Sequence, residues 1–334
     1  MTQQLDLASL YRLRQADILP AARFLEAARL LRDDAFWRCW GHRALLGLGL
    51  AHILAGIICF FAFNWADMPP FAKFAVIAAG IVLSALSSWL VGIHRPAGEA
   101  LLIGASVLTG ILLAVIGQVY QTGADAFQLF AAWGLVILPW LLVSRSAAHW
   151  AVWALIYYLA WSLYLAQVIE VLHPGRLMDL QCIGLAALVP IIALLLRELA
   201  VLADMRWMDD GWTRIVPLLI ASSHLFSMAA GALLADIGIA LIALAALLLG
   251  AAMGIYGRIL PHFAAFATAC AFLALLVAAT GWRLVALGFD SLPLPEAERY
   301  TLLLFLMVLW CVGVAFVLQK LLRRAKPWID EGRP

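Results

Sequence analysis

The chain has 334 residues, of which 66% are hydrophobic and only 13% are charged. Soluble domains are about 45–50% apolar and about 25% charged, so this composition excludes an ordinary soluble fold. The net charge is only +2, and the basic residues are not interleaved with aromatic residues on a polar domain, which argues against nucleic-acid binding.

Residues 1–43 precede the first apolar run and are predicted to form an amphipathic helical lead. Pro20 suits the first turn of a helix. The apolar face of that helix is formed by Phe24, Leu25, Ala28 and Leu31. A basic amphipathic helix beside a membrane usually lies in the interface, so we expect an anchor on anionic lipid. Docking of a cytosolic partner is the alternative, and these residues alone do not separate the two.

Ten apolar runs follow, each close to the roughly 20 residues that a helix needs to cross the bilayer core. They cover approximately residues 44–63, 71–92, 100–119, 126–143, 147–169, 180–199, 215–234, 237–256, 262–285 and 301–321. The sequence therefore predicts an all-α fold, a polytopic integral membrane helix bundle with about ten transmembrane helices.

The distribution of positive charge predicts the orientation of this bundle. With the N terminus in the cytoplasm, the outer side holds only four of the 22 Lys and Arg residues, namely Lys73, Arg176, Arg283 and Arg299. Both termini are thus predicted to be cytoplasmic. Tryptophans occur at predicted span ends, where headgroups lie, at positions 37, 40, 65, 150, 207, 212 and 328. The predicted organisation is a lead (1–43), a four-helix unit (44–143), six further helices (144–322) and a basic tail (323–334).

The polar turn, residues 117–128 (GQVYQTGADAFQ), joins the third and fourth predicted spans on the outer side. Asp125 and Gln128 have the spacing of a capping box, and Gly123 permits a tight turn. If Asp125 caps the next helix, Asp125→Ala should cost about 1 kcal/mol of stability.

Capping leaves three polar side chains of this turn unexplained. Gln118 and Gln121 are three residues apart and share a helix face, whereas Tyr120 points elsewhere. Near the span end, a buried Gln118 would need a hydrogen-bond partner. The two amides could bind a polar ligand or another helix, and bonding to another helix is the commoner outcome.

The first predicted hairpin, residues 56–75, resembles residues 110–131. Asn64 aligns with Gln118, and Asp67 again precedes a helix, here with two prolines in its first turn. A true repeat would place two turns with an amide and a carboxylate side by side on the outer face. The candidate ligand- or partner-binding residues are Asn64, Trp65, Asp67, Gln118, Tyr120, Gln121 and Asp125.

The lead, the NW turn followed by a lysine and the GQVYQTGAD string resemble the bacterial membrane proteins grouped as "domain of unknown function 2157". Residues 5–140 carry this resemblance. It implies a multi-pass protein of a bacterial inner membrane and brings no activity, catalytic residue or cofactor with it.

Two histidines, His52 and His224, lie within predicted spans and are candidates for function, although neutral histidines also pack well by bonding backbone carbonyls. No catalytic motif, nucleotide-binding loop or metal-ligand spacing occurs, so no enzyme, metal or cofactor is predicted. No Asp or Glu is expected at mid-membrane depth, which argues against a proton-coupled pump.

Two hypotheses remain open. The first is a non-enzymatic scaffold or envelope sensor that uses outer-face polar turns to engage a periplasmic or membrane protein partner, or a ligand, in addition to the lipid bilayer. The alternative is a passive or facilitated transporter of a small neutral solute or lipid, with its path lined by Gln118, Gln121, His52 and His224. A water-accessible cavity from Gln118 to depth would favour the transporter.

Overall fold

The computed structural model of the chain describes residues 67–290 and 295–330, together with scattered positions before residue 67. Nine long apolar helices and no strand occur in these continuous ranges. The helices are α1 (Pro70–Val91), α2 (Pro96–Tyr120), α3 (Ala126–Ser144), α4 (Ala147–Leu172), α5 (Arg176–Leu202), α6 (Gly211–Ala235), α7 (Ile239–Ile259), α8 (Phe263–Asp290) and α9 (Glu296–Asp330).

Each of these helices is long and apolar enough to cross a membrane. They coincide with the nine predicted spans from residues 71–92 onward, so the predicted all-α membrane bundle is confirmed. The predicted span 44–63 lies largely outside the described residues. Following the predicted orientation, we call the end of the bundle with the α2–α3 turn the outer end and the end with the α3–α4 turn the inner end.

The chain divides into two units, Met1–Lys73 and Phe74–Pro334. In the first unit, the amide of Phe24 donates to the carbonyl of Pro20 at 3.1 Å, so a helical turn begins at Pro20 as the sequence predicts. Phe24 is buried while Arg23 and Glu26 are exposed, in keeping with an amphipathic helix. The other predicted apolar positions, Leu25, Ala28 and Leu31, lie outside the described residues.

In the second unit, α6 packs against α5, α7 and α8. Small residues line its core, where Ala229 of α6 and Ala245 of α7 are fully buried beside Met228 and Leu249. Small side chains at such contacts let membrane helices approach closely. The packing therefore follows from alanine-rich faces that the apolar runs carry.

Helices α2, α3 and α4 are joined by aromatic rings that lie over glycines. The indole of Trp133 covers Gly110 and donates to the carbonyl of Ser106 at 2.7 Å. Tyr157 covers Gly134, whose carbonyl accepts from Trp153 at 3.0 Å. A methyl group at either glycine would collide with the ring, so these positions fix how closely neighbouring helices approach.

The tryptophans divide between the interior and the bundle surface. Trp150 is only 4% exposed and packs with Leu141 and Met208, so its ring lies inside the bundle rather than on its outer surface. Trp212 and Trp328 are each 41% exposed at helix ends, as expected of interfacial rings. Trp40 and Trp65 lie outside the described residues.

Candidate functional site

The polar turn is held in one backbone conformation by its own sequence. Helix α2 ends at Gln121, which is left-handed (φ 46°, ψ 49°), and the amide of Thr122 bonds to the carbonyl of Gly117 at 3.2 Å. Gly123 has φ +66°, a value that suits glycine, so the predicted tight turn is confirmed.

The side chains of this turn point away from the bundle core. Gln118, Gln121 and Asp125 are exposed, and their side chains have no hydrogen-bond partner among the described residues. Gln118 is therefore not the buried amide that the sequence suggests. Tyr120 is 63% exposed, and its ring stacks on Phe74 with 6.0 Å between ring centroids.

The cap of α3 differs from the predicted capping box. Asp125 occupies the N-cap position, but its carboxylate makes no cap hydrogen bond. The side-chain oxygen of Gln167 in α4 instead accepts from the amide of Phe127, at 3.4 Å. Gln167 lies in a π-helical segment, Leu165–Ile169, whose wider register a regular helical period does not predict. Sequence reasoning missed this residue, although an isolated amide in an apolar run was a usable signal.

The other predicted site residues differ in exposure and hydrogen bonding. Asp67 is exposed, and Asn64 and Trp65 lie outside the described residues. His52 is exposed, with Nδ1 2.8 Å from the carbonyl of Leu48, four residues earlier in the chain. His224 in α6 is hydrogen-bonded through Nε2 to the hydroxyl of Tyr158 in α4 at 2.7 Å.

At the inner end, a buried charge network joins α5, α6 and α7. The fully buried Arg197 contacts Glu198 at 2.8 Å and Asp209 at 3.0 Å. Arg214 of α6 and the hydroxyl of Tyr256 in α7 also bond to Glu198, at 2.7 Å and 3.1 Å. Every charge in this cluster thus has a partner on another turn or helix.

Sequence reasoning missed this network because Arg197 and Glu198 end a predicted span and resemble ordinary interfacial charges. Glu198 is a buried carboxylate within α5, one that the sequence analysis does not identify. An adjacent Arg–Glu pair inside an apolar run was the available signal. Burial is the main cause that lowers the pKa of the nearby His262. The positive charges of Arg214 and Arg197 lower this pKa further, whereas the negative charge of Glu198 raises it.

A second inner-end network surrounds His149, which is fully buried at the start of α4. Its Nδ1 is 3.0 Å from the hydroxyl of Ser144, and its Nε2 is 2.9 Å from the hydroxyl of Ser106 in α2. Ser144 donates to the carbonyl of Leu141, so the network is satisfied when Nδ1 carries the proton and Ser106 donates to Nε2. Nearby, Ser146 caps α4 through the amide of His149 and bonds to Glu99 of α2.

A serine hydrogen-bonded to a histidine is also the arrangement of a nucleophile and its base. Here Ser106 and His149 are both fully buried, and their polar atoms are engaged with each other and with Ser144. Among the residues that the structure describes, no group of His, Cys, Asp and Glu is placed to hold a metal ion. The geometry of both inner networks is that of helix–helix hydrogen bonding.

Comparison with known families bears on the first part of the chain. The model of a family described as "Predicted membrane protein (DUF2157)" matches residues 3–150, a range that includes the lead and the polar turn. No curated protein and no solved structure matches the chain. The family resemblance is therefore confirmed: residues 3–150 of this chain match a family of predicted membrane proteins.

Proposed function

We propose that the protein is a non-enzymatic membrane scaffold or envelope sensor that binds a partner through the polar turn. The observation that carries this proposal is the exposure of Gln118, Gln121 and Asp125, whose side-chain polar atoms have no hydrogen-bond partner among the described residues. In both inner networks, by contrast, buried polar side chains are hydrogen-bonded within the bundle.

The turn also has contacts that fix its backbone and the start of the next helix. Its backbone is held by the left-handed Gln121 and by Gly123, and α3 is anchored to α4 through Gln167 and through the edge-to-face contact of Phe127 with Tyr164. A preorganised surface loses little entropy when a partner docks. Gln118 in the last turn of α2 and Gln121 directly after it are both exposed and only three residues apart, so one partner segment can reach both amides.

The alternative, passive transport, receives less support from the same geometry. Three cavities, between α4, α5 and α6, between α7, α8 and α9, and between α6, α7 and α8, are lined by residues other than Gln118. His224 is engaged with Tyr158, and His52 with a backbone carbonyl. These contacts are the packing roles that neutral histidines commonly have in membranes.

Accessibility scanning separates the two functions. Single cysteines are placed through residues 114–125 in a cysteine-free background and treated on intact cells with a membrane-impermeant thiol reagent. We expect labelling from residue 118 outward, on the exposed positions only. Labelling of the inward positions 114–117 would reveal a wet path, and would overturn the scaffold proposal in favour of transport.

Photo-crosslinking tests partner binding directly. A photoreactive amino acid at position 121 should give one discrete protein adduct in cells, and the same group at the exposed Leu142, near the inner end, should not. Replacing Gln118 and Asp125 by alanine should reduce the adduct at position 121. An adduct that persists in that double variant would contradict binding through these side chains.

A further inference from the structure

A cavity of about 230 Å³ lies between α4, α5 and α6 in the inner half of the bundle. The cavity exists because small side chains line it, namely those of Ala151, Ala154 and Ala193. Proline is present in both facing helices, at Pro190 of α5 and Pro217 of α6. The cavity is separate from the polar turn and from the polar atoms of the two inner networks.

The cavity runs along the helices from the inner end toward the membrane midplane. It extends from Trp150 to Tyr158 on α4 and from Trp212 to Ile220 on α6. Eight residues of helix span about 12 Å, and one leaflet of the hydrocarbon core is about 15 Å deep, half of about 30 Å. Its length is therefore close to the depth of the inner leaflet.

The lining selects an apolar occupant. At the deep end, the hydroxyl of Tyr158 is engaged with His224 at 2.7 Å, so it is already hydrogen-bonded. Two lining residues, Leu155 and Val216, are 53% and 43% exposed, so the cavity opens on the side that faces the bilayer. A hydrocarbon chain can enter through this opening without leaving the membrane.

Positive charge at the inner end of the bundle indicates that the lipid bound there has an anionic headgroup. Arg145, in the turn that precedes α4, is exposed and forms no ion pair among the described residues. The side chain of Arg206 is 90% exposed but lies 3.6 Å from the carboxylate of Asp204, so Arg145 is the basic group available to an anionic headgroup. The Trp207 side chain beside Arg206 packs against the cluster that contains Trp150. An exposed arginine without an ion pair attracts anionic headgroups, and Trp212 in the cavity lining is 41% exposed at the same end of the bundle.

We infer that this cavity binds one acyl chain of an anionic phospholipid from the inner leaflet. The chain lies along Ala154 toward Tyr158, and the phosphate lies at the basic inner end, near Arg145. This inference is independent of partner binding at the polar turn, which is at the opposite end of the bundle.

The test uses the full-length protein in vesicles of phosphatidylglycerol and phosphatidylcholine in equal amounts. Trace phosphatidylglycerol or phosphatidylcholine carries a photoreactive group in its acyl chain, and labelled peptides are mapped after irradiation. We expect the phosphatidylglycerol probe to label residues 151–158 and 216–220 preferentially. Ala154→Phe fills the cavity and should lower this labelling roughly tenfold, whereas Ala251→Phe, at an exposed site on α7, should not change it.

Three results would overturn the inference. Labelling spread evenly over exposed helix faces would mean ordinary surrounding lipid only. Unchanged labelling in Ala154→Phe would exclude the cavity as the site, and equal labelling by the phosphatidylcholine probe would exclude the anionic headgroup. If Ala154→Phe does not fold, Val216→Phe at the opening of the cavity replaces it and should lower the labelling in the same way. Arg145→Gln should reduce only the preference for phosphatidylglycerol over phosphatidylcholine.

Discussion

The two ends of the helix bundle use similar polar residues in opposite ways. At the inner end, Glu198 is buried and bonded to Arg197, Arg214 and Tyr256. At the outer end, Asp125 is exposed, and its carboxylate bonds to no side chain or helix amide among the described residues. Residue type alone does not separate a structural carboxylate from one that is free to bind, whereas burial and partners do.

The same contrast holds for neutral polar groups. Ser106 and His149 are fully buried and satisfy each other, while Gln118 and Gln121 are exposed. A buried polar group without a partner costs free energy, so the inner networks had to close within the bundle. Exposed groups carry no such requirement. Substitutions in the two buried inner networks should therefore reduce stability, and substitutions of the exposed side chains in the polar turn should reduce binding.

The largest effect is expected from Glu198→Ala. It removes the carboxylate that faces two guanidinium groups, and the Arg197 side chain is only 1% exposed. Breaking a buried ion pair in this way should cost about 3–5 kcal/mol, measured as a fall in the thermal melting temperature of the purified protein. The control is Asp204→Asn, in the exposed pair with Arg206, where melting should be unchanged. Equal effects of the two substitutions would refute the contrast between buried, partnered carboxylates and exposed ones.

A smaller loss is expected from Ser106→Ala, which takes away the hydroxyl that donates to Nε2 of His149. The ring nitrogen would remain buried without a partner, so we expect a loss of about 1–3 kcal/mol in the same melting assay. Ser223→Ala is the matched control, because Ser223 is exposed and bonds only to its own helix at Ile220. An unchanged melting temperature in Ser106→Ala would mean that this network does not stabilise the bundle.

A pH dependence should arise at His262, whose pKa lies below its usual 6.5 because of burial and the nearby positive charges of Arg214 and Arg197. Its Nδ1 accepts from the amide of Ala265 at the start of α8. Below pH about 6.5 the unfolded chain binds a proton that the folded protein resists, so this contribution to stability falls with acidification. Between pH about 7.5 and about 5.5, the melting temperature should fall less in His262→Asn than in the unaltered protein. An equal fall in the two proteins would mean that His262 is not the source of the pH dependence.

The smallest effect on stability should come from the polar turn. Because Gln118 and Gln121 have no partners among the described residues, replacing both by alanine should leave melting unchanged while reducing photo-crosslinking from position 125. Asp125→Ala should likewise cost less stability than a true cap would, since no cap bond is lost. A clear fall in the melting temperature of either variant would mean that the turn has a structural role.

The sequence by itself determined the nine described helices, because the length and continuity of an apolar run are local properties. It also determined the tight turn at Gly123, since few residues other than glycine adopt a positive φ readily. Local pattern further indicated the helical turn at Pro20. Each of these features depends on residues within a few positions of one another.

Only the tertiary structure decided which polar groups are satisfied inside the bundle. Glu198 meets Tyr256 from 58 positions away, and Ser106 meets His149 from 43. It also showed that Gln118 is exposed and that Gln167, rather than Asp125, bonds to the start of α3. An apolar run fixes that a helix spans the membrane but leaves its rotation open, and rotation decides whether a polar side chain faces a neighbouring helix or the outside.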